Sequence, residues 1–256
     1  MSWLTFGVLA ACTLCAAVGA AMTLLVLWRA PSTAENQVPA AYFLAFTYGA
    51  SAVLLAHVLS RHGANVAPLL YESYVADSLV LLALLAVATH RAGLWRRRWV
   101  PLAIAAAVIL VLAVQAPMMH GGRLFHFAGY GAEGHPEVYV TELGRISVLI
   151  AVGVGVAAFL VAAAMRSARA LVPAIAAGAA GPSLHVLNSE WQALPLSVLC
   201  GTASVLLLGL PVLRRELRRG EARRQRVPIR ASWVLATPVL PTGVVRRARS
   251  RGNHDS

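Results

Sequence analysis

Two carboxylates lie among hydroxyl-bearing residues at the start of an apolar stretch, in the segment Tyr71-Glu72-Ser73-Tyr74-Val75-Ala76-Asp77-Ser78. An acid at the centre of a membrane-spanning helix costs ~2.5 to 3.5 kcal/mol, so its side chain turns toward protein or a water-filled cavity. Ser73 and Tyr74 precede Asp77 by four and three residues, so these three side chains share a helix face. Glu72 lies about 140° around the helix from Asp77 and need not join them.

This segment predicts a site for a ligand or a proton, or a general acid. The alternative interpretation is structural: Asp77 bonds to a neighbouring helix, and Glu72 lies among lipid headgroups. Glu142 and Arg145, at the start of a later stretch, have the spacing of a local ion pair, and such pairs are usually structural.

Further polar side chains end the neighbouring stretches, namely His57, Arg61, Gln115, Ser183, His185 and Asn188. His57 and His185 could cap helices at the membrane interface as easily as bind a ligand. The residues predicted to bind a ligand are Asp77, Glu72, Tyr74, Ser73, His57, Arg145, His185 and Asn188.

The elements that position these residues are membrane helices. The chain is 59% hydrophobic and 12% charged, with a mean hydropathy of +0.69, more apolar surface than a water-soluble domain of 256 residues buries. A helix crosses the hydrocarbon with ~20 residues. We therefore predict an all-α fold, a bundle of seven transmembrane helices. The predicted spans are 3–28, 41–60, 69–89, 99–116, 143–165, 168–187 and 193–213.

The arginines predict the orientation of this bundle. The chain has 22 basic residues, all arginine, and with the N-terminus outside 19 of them fall on the inner side. Only Arg61, Arg123 and Arg145 then lie outside. Because cytoplasmic loops retain basic residues, the N-terminus is predicted outside and the C-terminus in the cytoplasm. The predicted location of the bundle is the plasma membrane of a bacterium. Anionic headgroups at the cytoplasmic face are the expected partners of the arginines.

The same orientation sorts the other polar residues. Six of the eight histidines and six of the ten acids fall on the outer half. We therefore expect an outward-facing polar cavity near the second, third, fifth and sixth spans. The loop at 117–142 is rich in Gly, His and aromatic residues, and it is predicted to be an ordered lid over the mouth of the bundle. The histidine spacings in this loop match no metal motif, and no metal or other cofactor is predicted.

Small residues predict where helices approach one another. Gly153 and Gly155 in the fifth span, and Ala174, Gly178 and Gly181 in the sixth, allow close backbone contact within the chain or between two copies in a homodimer. In the sixth span, a proline four residues after Gly178 cannot donate to its carbonyl, so this helix is predicted to kink or end nearby.

Both ends of the chain have simple interpretations. The first apolar run carries no basic residue before it and continues to Leu27, which favours a retained helix over a cleaved signal. Cys12 and Cys15 form a CxxC inside that helix, where packing is the expected role. Residues 214–256 are predicted to be an Arg-rich cytoplasmic tail, partly disordered, whose apolar run at 231–245 is too short to span. A nucleic-acid partner is not expected.

Four segments carry a resemblance: Trp28-Arg29-Ala30-Pro31, Asn65-Val66-Ala67-Pro68-Leu69-Leu70, His135-Pro136-Glu137 and Gly209-Leu210-Pro211. In their order the chain resembles a group of uncharacterised actinobacterial seven-helix membrane proteins. The resemblance covers most of residues 1–215 and rests on turn-forming and packing residues. It implies a seven-helix bundle, and it supplies no activity.

Two functions of different class follow from these observations. The first is a membrane protein that binds, senses or transports a small molecule or lipid through the outward-facing polar cavity. The alternative is an intramembrane enzyme that acts on a lipid or prenyl substrate, with Asp77 or Glu72 as the general acid, as in atypical membrane terpene cyclases. Several classes are excluded, because the chain has no lysine for a retinal Schiff base and no HExxH, GxSxG or P-loop motif.

Overall fold

The computed structural model describes residues 3–29, 34–130, 136–187 and 194–226, and it is mostly helical. A π-helical turn, Val111–Gln115, joins α4 to α5, and a two-stranded sheet precedes α6. The helices and strands are α1 (Trp3–Arg29), α2 (Ala34–Ser60), α3 (Ala67–Arg91), α4 (Trp99–Leu110), α5 (Ala116–His120), β1 (Phe125–Tyr130), β2 (Pro136–Val140), α6 (Glu142–Ala164), α7 (Val172–Leu187) and α8 (Leu194–Arg226).

Five of the described helical segments are long and apolar enough to cross a membrane: Leu9–Trp28, Glu35–Ser60, Ala67–Arg91, Trp99–His120 and Glu142–Ala164. Two further helices are apolar but shorter. They are α7, with 16 residues, and the Leu196–Val212 part of α8. The predicted class, a helical membrane protein, is confirmed at this level. The second helix begins seven residues before the predicted 41, because Glu35, Asn36 and Gln37 are polar yet remain helical.

Helix α3 is the centre of the bundle. In α3, 72% of the span is buried, against 6% in the segment from Trp99 to His120. Helices α2, α6 and α7 all pack against α3. The side chains that α3 carries are therefore enclosed by protein, while the run of α4 and α5 lies at the periphery with most of its side chains facing outward.

Several of the glycines predicted to allow close helix contacts do so, and one does not. A Cβ on Gly155 would lie 3.0 Å from Leu81, and one on Gly181 would lie 2.7 Å from the Ser197 carbonyl oxygen. Gly178 faces Ser204, Tyr42 and Leu84, and Ala174 is buried. Gly153 makes no close helix contact within the described part of the chain, because nothing lies within 4 Å of a Cβ at that position, and its predicted contact between two copies stays a prediction.

The predicted outer loop contains an antiparallel hairpin formed by β1 and β2. The prediction of an all-α fold did not include these strands. The register shifts between Phe127 and Gly129, where β1 has one additional residue and Gly129 has a φ of 121°. The predicted lid is thus ordered in its described part, and residues 131–135 lie outside that part. We call the end of the bundle that carries β1 and β2 the hairpin end.

Hydrogen bonds from β1, and from the residue that follows β2, fix the hairpin to the bundle. The Tyr71 hydroxyl accepts a bond from the Phe127 amide (3.2 Å), and the Tyr130 hydroxyl donates to the Ala64 carbonyl (2.5 Å). After β2, the Thr141 hydroxyl caps α6 by accepting from the Gly144 amide (3.1 Å). These bonds determine where α6 begins relative to β1.

The chain divides into two compact units, Met1–Glu216 and Leu217–Ser256. The first contains the apolar helices and the hairpin. The second contains the last turns of α8, described as far as Arg226. Residues 214–226 of the predicted tail are therefore helical, and residues 227–256, with the apolar run at 231–245, lie outside the described residues.

Candidate functional site

The predicted acid on α3 is paired with a histidine on α7. The Oδ2 atom of Asp77 lies 2.5 Å from Nδ1 of His185, and the two side chains are 17% and 13% exposed. The residues are 108 positions apart in sequence. An acid inside a spanning helix has thus found a partner in protein, as the cost of an unpaired carboxylate requires. The pair joins α3 to α7 near the hairpin end.

The ring of Tyr74 lies between two other rings. It stacks on Phe125 at 4.3 Å with an interplanar angle of 6°, and on His185 at 4.9 Å with an angle of 10°. Stacked pairs of this kind add ~0.5 to 1.5 kcal/mol beyond the burial of their area. Tyr74 therefore links the base of the hairpin, through α3, to the histidine of α7.

A small cavity lies beside this pair, between α2, α3, α7 and α8. Its volume is about 30 Å³, and Ser73, Asp77, Pro182, His185 and Ser197 contribute to its wall. A water needs ~10 to 15 Å³ of such volume and two or more polar partners. The cavity accordingly has room for one or two waters, far less than a metabolite or a lipid occupies.

The sixth predicted span was expected to kink or end near its proline. It does not end there, because α7 continues through Pro182 to Leu187.

Glu72 belongs to a different cluster. Its Oε2 atom accepts a hydrogen bond from the Tyr48 hydroxyl (2.5 Å), and its Oε1 atom lies 2.8 Å from Nε2 of His120. The ring of His120 is also in edge contact with Tyr71. Glu72 thus joins α2, α3 and α5 at the surface of the hairpin end and does not meet Asp77, as the angle between them around the helix indicated.

The remaining predicted residues are dispersed. His57 is buried on α2 and lines neither this small cavity nor the larger cleft described below. Arg145 donates to Oε1 of Glu142 (3.0 Å) with both side chains largely exposed, so the predicted local ion pair forms. Asn188 lies outside the described residues. Of the predicted residues that the structure describes, Ser73, Tyr74, Asp77 and His185 are the ones that lie together around the small cavity.

A second recess in the described part of the chain was not predicted. It is a cleft of about 310 Å³ between α3, the α4–α5 run and α6. Rim residues such as Val114, Ile146 and Ile150 are exposed on the outside of the bundle, so the cleft opens sideways. Its volume is at the lower end of that of ligand pockets, ~300 to 1,000 Å³.

Polar side chains in the wall of the cleft form one cluster. The Nε2 atom of Gln115 donates to the hydroxyls of Ser78 (2.9 Å) and Ser147 (3.1 Å). Gln115 is the last residue of the π-helical turn, a geometry that often marks functional sites. The sequence identified Gln115 as an end-of-span residue but gave no sign of the extra residue in that turn, because Val111–Gln115 has the composition of any apolar helix.

Comparisons of the chain with protein families, with curated proteins and with solved structures found no match. What the protein binds must therefore be argued from its own side chains. Among the described residues, no three His, Cys, Asp or Glu side chains lie close enough to hold a metal ion. Cys12 and Cys15 are buried, and the thiol of Cys15 contacts Thr202 of α8, which fits a packing role for this part of α1.

Proposed function

We propose that the protein is a multi-pass membrane protein that binds an apolar small molecule or a lipid in the cleft between α3, α4–α5 and α6. The observation that carries this proposal is the shape and chemistry of the cleft: about 310 Å³, almost wholly apolar walls and one polar cluster around Gln115. Concave apolar pockets with a few convergent polar groups are the usual form of small-molecule sites.

The enzymatic alternative has less support in the geometry. A general acid must come within hydrogen-bond distance of the reacting atom. Neither Asp77 nor Glu72 lines the cleft, and the cavity beside Asp77 has room only for water. Sensing and transport are both compatible with binding in the cleft, and we propose binding as the property that they share.

The proposed topology has seven spans, with α7 and the apolar part of α8 as the two shorter ones. The hairpin end then faces outward, and the arginine-rich end faces the cytoplasm of a bacterium. The predicted outward-facing polar cavity corresponds in this proposal to the Asp77–His185 region, while the ligand lies beside it in the cleft.

The proposal is tested by filling the cleft. Ala107 on α4 lines the cleft, whereas its neighbour Ala106 is exposed and does not line it. We expect mild-detergent purification of the unaltered protein to retain an apolar molecule detectable by mass spectrometry. Ala107→Trp should lose that molecule, because the indole occupies its space, and Ala106→Trp should keep it.

Both variants place a tryptophan on the same turn of a peripheral helix, so effects on expression and insertion are matched. The proposal fails if the molecules retained by the unaltered protein and by Ala107→Trp are the same in identity and amount. It also fails if the retained molecules are only bulk membrane lipids in their membrane proportions.

A further inference from the structure

One acceptor in the wall of the cleft receives no hydrogen bond from the described residues. The amide nitrogen of Gln115 has two hydrogens, and the hydroxyls of Ser78 and Ser147 accept them. Ser78 in turn donates to the Tyr74 carbonyl (3.3 Å), which leaves its oxygen to accept from Gln115. Within the described part of the chain, no group donates to the Gln115 carbonyl oxygen.

The π-helical turn places this amide in the cleft. A π turn holds one more residue than an α turn, so it rotates the residues at its end around the helix axis. Gln115 ends the turn and bonds to α3 and α6 together, at the back of the cleft. The turn therefore positions the acceptor rather than merely interrupting the helix.

The surroundings make an unpaired acceptor unfavourable. The hydrocarbon region offers no water to satisfy a carbonyl oxygen. Of the fifteen described residues that line the cleft, only Gln115, Ser78 and Ser147 are polar, and none carries a charge. The complement of such a site is a molecule with an apolar body, one hydrogen-bond donor and no charge, since a buried charge without a partner is strongly disfavoured.

We propose that the ligand of the cleft is a neutral amphiphile whose hydroxyl or amide N–H donates a hydrogen bond to Oε1 of Gln115. This rests on the proposed function and adds the chemical class of the ligand. The volume of about 310 Å³ lies at the lower end of the ~300 to 1,000 Å³ of ligand pockets, so a small ligand is expected. A medium-chain alcohol therefore represents the class.

The test compares four probes of the same chain length: 1-decanol, decyl methyl ether, decane and decanoate. Each is radiolabelled, and its binding to the protein in nanodiscs is measured against empty nanodiscs. We expect decanol to bind about tenfold more tightly than the ether, because only the alcohol donates and a hydrogen bond of this kind is worth about a factor of ten. Decanoate should bind more weakly than decanol, since its charge finds no partner.

Two variants assign the preference to Gln115. Gln115→Met keeps the length of the side chain and removes the acceptor, so decanol affinity should fall about tenfold, to that of the ether, while the ether is unaffected. Ser147→Ala keeps the acceptor and removes one of its two anchors, so decanol should still bind more tightly than the ether. The thermal unfolding midpoint of each variant reports whether it is folded.

The outcomes separate this proposal from the proposed function. Equal affinity of the unaltered protein for decanol and the ether, or tighter binding of decanoate, overturns the ligand class and leaves the cleft as a binding site. Binding that Ala107→Trp does not reduce overturns both. If Gln115→Met fails to fold, the comparison of alcohol and ether on the unaltered protein still decides the class.

Discussion

At the scale of single residues, two acid–base pairs near the hairpin end differ in their surroundings. Asp77 and His185 are mostly enclosed, and the histidine is also stacked on Tyr74. Glu142 and Arg145 are 85% and 68% exposed. Exposed pairs contribute ~0 to 1 kcal/mol, whereas removing one member of an enclosed pair leaves the other without a partner. The two pairs should therefore respond very differently to mutation.

His185→Ala should lower the free energy of unfolding by about 2 kcal/mol, because Asp77 loses its partner and Tyr74 loses one stacked ring. Asp77→Asn should cost less, since an amide of the same shape still bonds to the imidazole. The free energy is measured by titrating the protein from mild detergent into SDS and following loss of helical circular dichroism.

Arg145→Ala is the matched control, as it breaks an acid–base pair at the same end of the bundle. Its effect should stay within about 0.5 kcal/mol. A loss for His185→Ala no larger than that of Arg145→Ala would show that the Asp77–His185 contact contributes nothing to folding.

At the scale of elements, α6 carries two glycines with opposite surroundings. A Cβ on Gly144 would run into the Leu124 carbonyl oxygen, the same atom that accepts from the Thr141 amide (3.1 Å). Gly153, nine residues later, has nothing within 4 Å of that position. The first glycine lets the residue before β1 lie against the start of α6, and the second makes no close contact with the described part of the chain.

Gly144→Ala should therefore destabilise the protein by about 1 to 3 kcal/mol, through overpacking between α6 and the segment before β1. Gly153→Ala should be neutral or stabilise by up to about 1 kcal/mol, because alanine is the better helix former. Hydrogen exchange of the β1 and β2 amides distinguishes the two. Faster exchange in both variants alike would remove the special role of Gly144.

The sequence predicted the helices well, since hydropathy and length determine membrane spans. It did not predict the hairpin, because the Gly- and aromatic-rich segment from Phe125 to Tyr130 has no strict alternation of apolar and polar residues. It placed Asp77 and His185 on the same half of the bundle, yet their pairing depends on how α3 and α7 are rotated about their axes. The π turn that borders the cleft cannot be recognised from the sequence, because Val111–Gln115 has the composition of any apolar helix.

At the scale of the whole molecule, the orientation in the membrane can be tested with two exposed positions on either side of the α4–α5 run. Tyr139 is exposed on β2, and Arg97 is exposed between α3 and α4. In a background with Cys12, Cys15 and Cys200 replaced by alanine, a membrane-impermeant maleimide should label Tyr139→Cys on intact cells. It should label Arg97→Cys only after the cells are permeabilised.

Labelling of Arg97→Cys alone on intact cells would reverse the proposed topology. Labelling of both positions from the same side would mean that the segment from Trp99 to His120 does not cross the membrane. Equal total labelling after permeabilisation is the control for access of the reagent to each cysteine.

The sideways opening of the cleft has a thermodynamic consequence. A ligand that enters from the hydrocarbon never has to leave it, so its effective concentration is its mole fraction among the lipids rather than its molarity in water. Diluting a vesicle suspension with buffer would leave the occupancy of the cleft unchanged for a strongly partitioning ligand, whereas adding empty vesicles would lower it. The membrane itself would then act as the reservoir to which the protein responds.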